Sequence, residues 1–258
     1  MSKAHSNFSA SSASRLLACP AAYQLALDLD DGQRRPSVYA AQGTLAHAIA
    51  EASLASGVDA AMFVGDTRTA DGHTFTVDDE FVTFANVYIE AVRSLRMLGY
   101  DIELEQKIFP GTLSPTPLGV DLFGTADCIG YNPKTGHAAV VDLKFGRGVP
   151  VEAKDNPQLL YYALGVLARM LDLDVDNVSM TIVQPRAHQR DGPIRTFMLP
   201  AGEVMRWGHE VLFPGVKRAL ADGGATRNPG PYCRWCPAFA HCPAPRQLAL
   251  DAFKDAPI

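Results

Sequence analysis

The chain has 258 residues, of which 47% are hydrophobic and 20% charged, and it carries a net charge of −5 at neutral pH. That composition excludes disordered, collagen-like and coiled-coil chains and leaves a globular protein, read here as a single domain over residues 1–258. No apolar run approaches the ~18 residues of a membrane helix, and Met1–Ala18 lacks a signal-peptide core, so a cytoplasmic protein is expected. Residues 1–180 sum to −9 and residues 181–258 to +4, which rules out a wholly basic nucleic-acid coat but leaves room for a local basic track. There is no phosphate-cradling G-x-x-x-x-G-K-[ST] loop, hence no recognisable ATP motor.

In chain order, Gly43–Ser56 reads as an Ala- and Leu-rich helix. Phe81–Leu98 is a second, with Phe81, Phe84, Tyr88, Ala91, Leu95 and Leu98 at helical spacing. Asp101–Phe109 alternates, placing Ile102, Leu104 and Ile108 on one strand face and Glu103, Glu105 and Lys107 on the other. Leu122–Tyr131 and His137–Lys144 are further strands, joined into a hairpin by the turn Asn132-Pro-Lys-Thr-Gly136. Asn156–Leu171 is a helix with Pro157 in its first turn. Val178–Gln184 and Ile194–Leu199 are β-rich, and Ala201–Ala221 is helical again. The sum is an α/β chain, a mixed β-sheet core flanked by helices. Nothing in residues 58–80 or 184–207 suggests a function.

The hairpin carries the chemistry. Asp142 and Lys144 are two apart on one strand and share a face, and pairing brings Asp127 beside Asp142. Adjacent carboxylates repel unless a cation lies between them, and a hard divalent ion with oxygen ligands answers that need. An ordinary surface Asp–Lys pair is the plain alternative, but Val140 and Val141 mark the strand as buried. Cys128 should point to the face opposite Asp127. Gln158 and Tyr162, four apart, share one helix face, as do His47 and Glu51. Each pair also suits a purely structural role.

Asp127, Asp142-x-Lys144 and Gln158-x-x-x-Tyr162, in this order, resemble the PD-(D/E)XK nuclease superfamily. The closest likeness is to its RecB-type exonuclease branch, which includes CRISPR-associated RecB-like exonucleases. The resemblance implies a restriction-endonuclease-like fold with a catalytic core over 100–171. It implies an Mg²⁺- or Mn²⁺-dependent deoxyribonuclease, an exonuclease by preference, hydrolysing phosphodiester bonds in DNA recombination or processing. Asp127, Asp142, Lys144, Gln158 and Tyr162 would be its catalytic set. His47, in a matching G-x-x-x-H pattern, would join Asp127, Asp142 and the Leu143 carbonyl as metal ligands. Glu105 corresponds to an acid found on the first core strand of some members, with Glu103 as its competitor. Ala126 stands where the superfamily name has Pro. The implied partners are DNA, single-stranded or with accessible ends, and recombination or replication proteins. The implied setting is a bacterial host cell or nucleoid, with a phage or mobile-element origin. A catalytically silent nuclease-like module that grips DNA ends or a partner is the alternative function.

Five cysteines are too few and too oddly numbered for a disulfide scaffold. Three of them, Cys233, Cys236 and Cys242, crowd the tail, and Cys19 precedes the core. This one-plus-three pattern resembles the iron–sulfur nucleases of the same branch. It implies a 4Fe–4S cluster held by a clasp of residues 12–30 and 228–246. Zn²⁺ at the four thiolates is the alternative, which would suit a zinc-stabilised adaptor without DNA chemistry.

Overall fold

The computed structural model describes residues 8–27, 29, 37–221 and 226–254, with side chains described as far as residue 250. Residues 28 and 30 of the expected clasp lie outside them. Three helices come first: α1 (Ala10–Ala18), α2 (Ala21–Leu27) and α3 (Val38–Ser56). A small hairpin, β1 (Thr67–Ala70) and β2 (His73–Thr76), leads into α4 (Asp79–Met97). Then β3 (Asp101–Ile108), β4 (Gly124–Asn132) and β5 (His137–Leu143) form an antiparallel meander. Helix α5 (Pro157–Arg169) crosses over to β6 (Asn177–Val183), which lies parallel to β5, and β7 (Ile194–Pro200) returns antiparallel. The chain ends with α6 (Ala201–Trp207), α7 (Phe213–Leu220), a short turn at Pro231–Trp235, and α8 (Pro243–Lys254).

The five-stranded mixed sheet runs β3-β4-β5-β6-β7 and separates two apolar clusters. On one face α5 packs with α1 and α7, burying Leu159, Tyr161 and Leu164 against Val140, Met180 and Ile182. On the other, the small side chains of α3 let it lie close to α4, so that Ala46, Ile49 and Ala50 join Ile89, Val92, Cys128 and Val141. The sheet is therefore sandwiched, which explains why β5 and β6 read as continuous apolar runs rather than alternating ones. The expected β4–β5 hairpin is present, with Gly136 at φ 64° in the left-handed region its turn requires.

The stretch Ala201–Ala221 is helical as expected, as far as Leu220, with a π turn at Gly208–Leu212 between α6 and α7. Pro214, in the first turn of α7, lacks the N–H that an unbroken ladder needs, and the register shifts to absorb it. Residues 58–80 supply the β1–β2 hairpin, which packs on α3. Among the described residues no helix is long and apolar enough to cross a membrane.

Candidate active site

The site begins where the β4–β5 ladder opens. The strands pair from Asn132↔His137 as far as Cys128↔Val141. At the next position the Leu143 N–H donates to Asp127 Oδ2, at 2.7 Å, rather than to a strand carbonyl. Leu143, expected as a carbonyl ligand, thus also holds Asp127 through its N–H. The bond fixes the Asp127 carboxylate at the sheet's opening, with its other oxygen facing α3. There His47 Nδ1 lies 3.4 Å from Asp127 Oδ1.

Glu105 completes the cluster. Its Oε1 is 3.9 Å from His47 Nδ1, and ligand atoms of His47, Glu105 and Asp127 all fall within 4.8 Å of one another. Glu103, the competitor, instead pairs with Arg169 of α5 on the opposite face. The simple alternation expected for this strand fails at one residue. Glu105 has φ 49°, a left-handed conformation that costs a non-glycine residue on the order of 1–2 kcal/mol. The ladder skips from Leu104↔Cys128 to Gln106↔Ala126 across it. Leu104 packs toward α4, whereas Ile108 packs toward α5, so the faces exchange at Glu105. Strand β4 answers in kind. Ala126 and Ile129 pack on the α5 side, while Cys128 packs with α3 and α4, the side on which Asp127 meets His47. Cys128 therefore does not point away from Asp127 as strict alternation requires. The paired kinks present both carboxylates to one helix.

Asp142 adjoins this cluster from the end of β5. It is 2% exposed, with Oδ1 accepting from Gln158 Nε2 at 3.0 Å and Oδ2 lying 2.7 Å from the Lys144 ammonium. No donor is aligned to hydrogen-bond Oδ2. Gln158 also donates to the Tyr162 hydroxyl, at 3.3 Å. These contacts depend on the start of α5, where the Asn156 side chain caps the N–H groups of Gln158 and Leu159. The loop before α5 is pinned in turn: Val151 donates to Gln184 Oε1, and Arg195 donates to the Val151 carbonyl at 2.7 Å. Gln184 and Arg195 are thus supporting residues in a region without a sequence motif; a lone buried arginine has no pattern by which to recognise it. Glu51 is exposed, one turn from His47.

Electrostatics mark the cluster as unsatisfied. Burial lifts the Asp127 carboxyl to about 6, helped by Asp142 and opposed first by His47. Burial and Asp127 together lift Glu105 to about 7. The contacts of His47 with its two acids, at 3.4 and 3.9 Å, are longer than hydrogen bonds. Acceptors thus converge on a gap without satisfying one another, beside an Asp142 carboxylate that is paired with the Lys144 ammonium. A hard divalent cation suits that donor set of carboxylates and one imidazole.

The four remaining cysteines also meet. Cys19, Cys233, Cys236 and Cys242 line one pocket between the end of α1 and the tail. The tail is held there by Arg15 donating to the Trp235 carbonyl and by Asn228 donating to the Ala18 carbonyl, each at 2.9 Å. Among the described residues no three of these sulfurs lie mutually within 4.8 Å.

Residues 5–256 match the family model described as "Protein of unknown function (DUF2800)", and the chain belongs to that family. Among solved structures it is similar to the one titled "Crystal structure of SSO0001", with 14% identity over 90% of this chain and 96% of that one. The TM-score is 0.33, a superposition too loose to bear on the fold or the activity.

Proposed function

We propose that this chain is an Mg²⁺- or Mn²⁺-dependent DNA nuclease of the PD-(D/E)XK type, acting as an exonuclease of the RecB-like branch. The observation that carries the reading is the meeting of His47, Glu105 and Asp127, from three separate elements, beside Asp142, Lys144 and Gln158. An ion held by Glu105, Asp127, Asp142 and His47 would polarise a phosphate oxygen and lower the pKa of water. The side chains do the rest. Asp142 holds the Lys144 ammonium beside the cluster, where its charge steadies a phosphate that becomes more negative during in-line attack. Gln158 fixes the Asp142 rotamer. Tyr162, kept a neutral phenol by burial and by the nearby acids, contacts the strand at the cut.

The cysteine pocket is read as a 4Fe–4S site. Four thiolates are the ligand count that a 4Fe–4S cluster takes. Joining Cys19 to Cys233 closes a loop of 214 residues, worth roughly 5 kcal/mol in the chain-entropy account.

The test is digestion of end-labelled single- and double-stranded DNA with Mg²⁺ or Mn²⁺, comparing wild type with Lys144→Ala. We expect the variant to lose on the order of 10²–10³ in rate. Equal digestion by both proteins overturns the proposal, and DNA binding without cleavage by wild type identifies a silent end-binding module instead.

A further inference from the structure

Two aromatic rings beyond the His47–Glu105–Asp127 cluster belong to neither apolar core. Phe109 is 46% exposed and Phe123 is half-buried. Their ring centroids lie 6.4 Å apart. The ammonium of Lys107 sits 4.3 Å from the centre of Phe123 and 5.5 Å from that of Phe109.

The register places them. Lys107 pairs with Thr125 and Ile108 with Gly124, so Phe109 continues opposite Phe123. A Cβ on Gly124 would meet Tyr162, Ala10 and Tyr161, so Gly124 faces α5 and its neighbours Phe123 and Thr125 face the other way. That is the side on which Asp127 meets His47. Beyond the kink, Glu105, Lys107 and Phe109 follow at two-residue spacing. Three levels therefore follow one another on this surface: the acids Glu105 and Asp127, across which the ladder skips; the paired rung Lys107/Thr125; and Phe109 and Phe123, just past the last pair Ile108↔Gly124. At ~3.4 Å per residue these levels are about 7 Å apart. Phe109 also forms a wall of an open groove bounded by Gly111, Thr112 and Ser114.

We propose that the Phe109–Phe123 pair, with Lys107, is a stacking site for the unpaired bases of a DNA single strand whose backbone runs on into the His47–Glu105–Asp127 cluster. This rests on the nuclease reading and adds the residues that would meet an unpaired strand. Every base offers a π face, so stacking is tolerant of sequence, and an adjacent ammonium suits the phosphate between bases. The aromatic pair lies ~13 Å from the acids, at most about four nucleotides from the cut for a strand that advances at least ~3.4 Å per nucleotide. In a duplex the base faces are already stacked on each other, so this surface selects unpaired ends.

The plain alternative is a lysine stem laid over surface rings, which would matter to packing alone. Fluorescence anisotropy in EDTA, with a labelled oligodeoxythymidine and a blunt duplex, separates the two. Phe109→Leu and Phe123→Leu keep apolar bulk but lose the ring. Each should weaken single-strand binding by about 5- to 150-fold while leaving duplex binding within about twofold, and Phe123→Trp should restore it. Lys107→Gln should lower the salt slope for the single strand by about 0.7. Thermal melting in parallel confirms that the leucine variants fold. Unchanged single-strand binding, equal loss for both DNAs, or no binding by wild type overturns the proposal. Cleavage by wild type with normal binding by the leucine variants refutes the stacking site alone. Ring-dependent binding without any cleavage refutes the nuclease reading alone.

Discussion

Asp127→Asn tests the electrostatic argument without moving atoms, because the amide oxygen can still accept from the Leu143 N–H. In the folded chain the Asp127 carboxyl rises from 3.8 to about 6, with burial as the leading cause. That rise corresponds to about 3 kcal/mol. Glu105 rises from 4.5 to about 7, but its side chain is 31% exposed, so solvent screening makes its share smaller. Both folded values lie above the unfolded ones, so the folded state binds protons more tightly. The associated stability is fully present below about pH 4 and is lost as pH rises to about 7. About 2 kcal/mol of the Asp127 share is still present at pH 4.5, so at 2–4 °C per kcal/mol for a chain of this size metal-free wild type should melt roughly 4–8 °C lower at pH 8 than at pH 4.5 from this residue alone. Asp127→Asn should flatten most of that slope and be the more stable protein at pH 8. Mg²⁺ or Mn²⁺ needs the ionised carboxylates, so it should raise the wild-type Tm more at pH 8 than at pH 5 and leave the variant almost unmoved. Differential scanning fluorimetry in EDTA and in each metal reads all of this. Parallel pH slopes for the two proteins, or an equal metal effect at both pH values, would refute the reasoning.

Gln158→Ala frees Asp142 Oδ1 and should cost 10- to 100-fold in metal affinity or cleavage rate, with the fold intact by circular dichroism. Removing Lys144 leaves a buried carboxylate without its counter-ion, so Lys144→Ala should also lose about 3 kcal/mol of metal-free stability, partly recovered on adding Mn²⁺; urea melts check the loss and the rescue. Cys236→Ala should abolish the brown colour, the bound iron and the sulfide of anaerobically purified protein and lower its Tm; a fully folded, active variant without bound metal would exclude a structural cluster. Gly165→Ala would put a methyl 2.8 Å from Ile108 Cβ, where α5 presses on β3, and should destabilise by about 1–3 kcal/mol in a chemical denaturation curve.

The order of residues by itself determined the helices and strands with apolar periodicity, the β4–β5 hairpin, and the presence of Asp127, Asp142 and Lys144 at its open end. These follow from local rules: a Pro–Gly turn, an alternating or continuous apolar run, and a spacing of two along a strand. It also singled out Gln158 and Tyr162, because four residues along a helix bring side chains to one face. The resemblance named Glu105 ahead of Glu103, and tertiary structure supplied the physical reason. A left-handed residue in the middle of a strand has no local signature, since its cost is met by contacts with α3 and β4 that are distant in the chain. The same kinks put Cys128 on the side of Asp127, which strict period two forbids. Pinning of the α5 loop by Gln184 and Arg195, and the aromatic pair at Phe109 and Phe123, likewise arise from strand pairing across gaps of more than ten residues. Periodicity says which face a residue takes while the backbone stays regular; where folding bends the backbone, only the assembled sheet says which side chains meet.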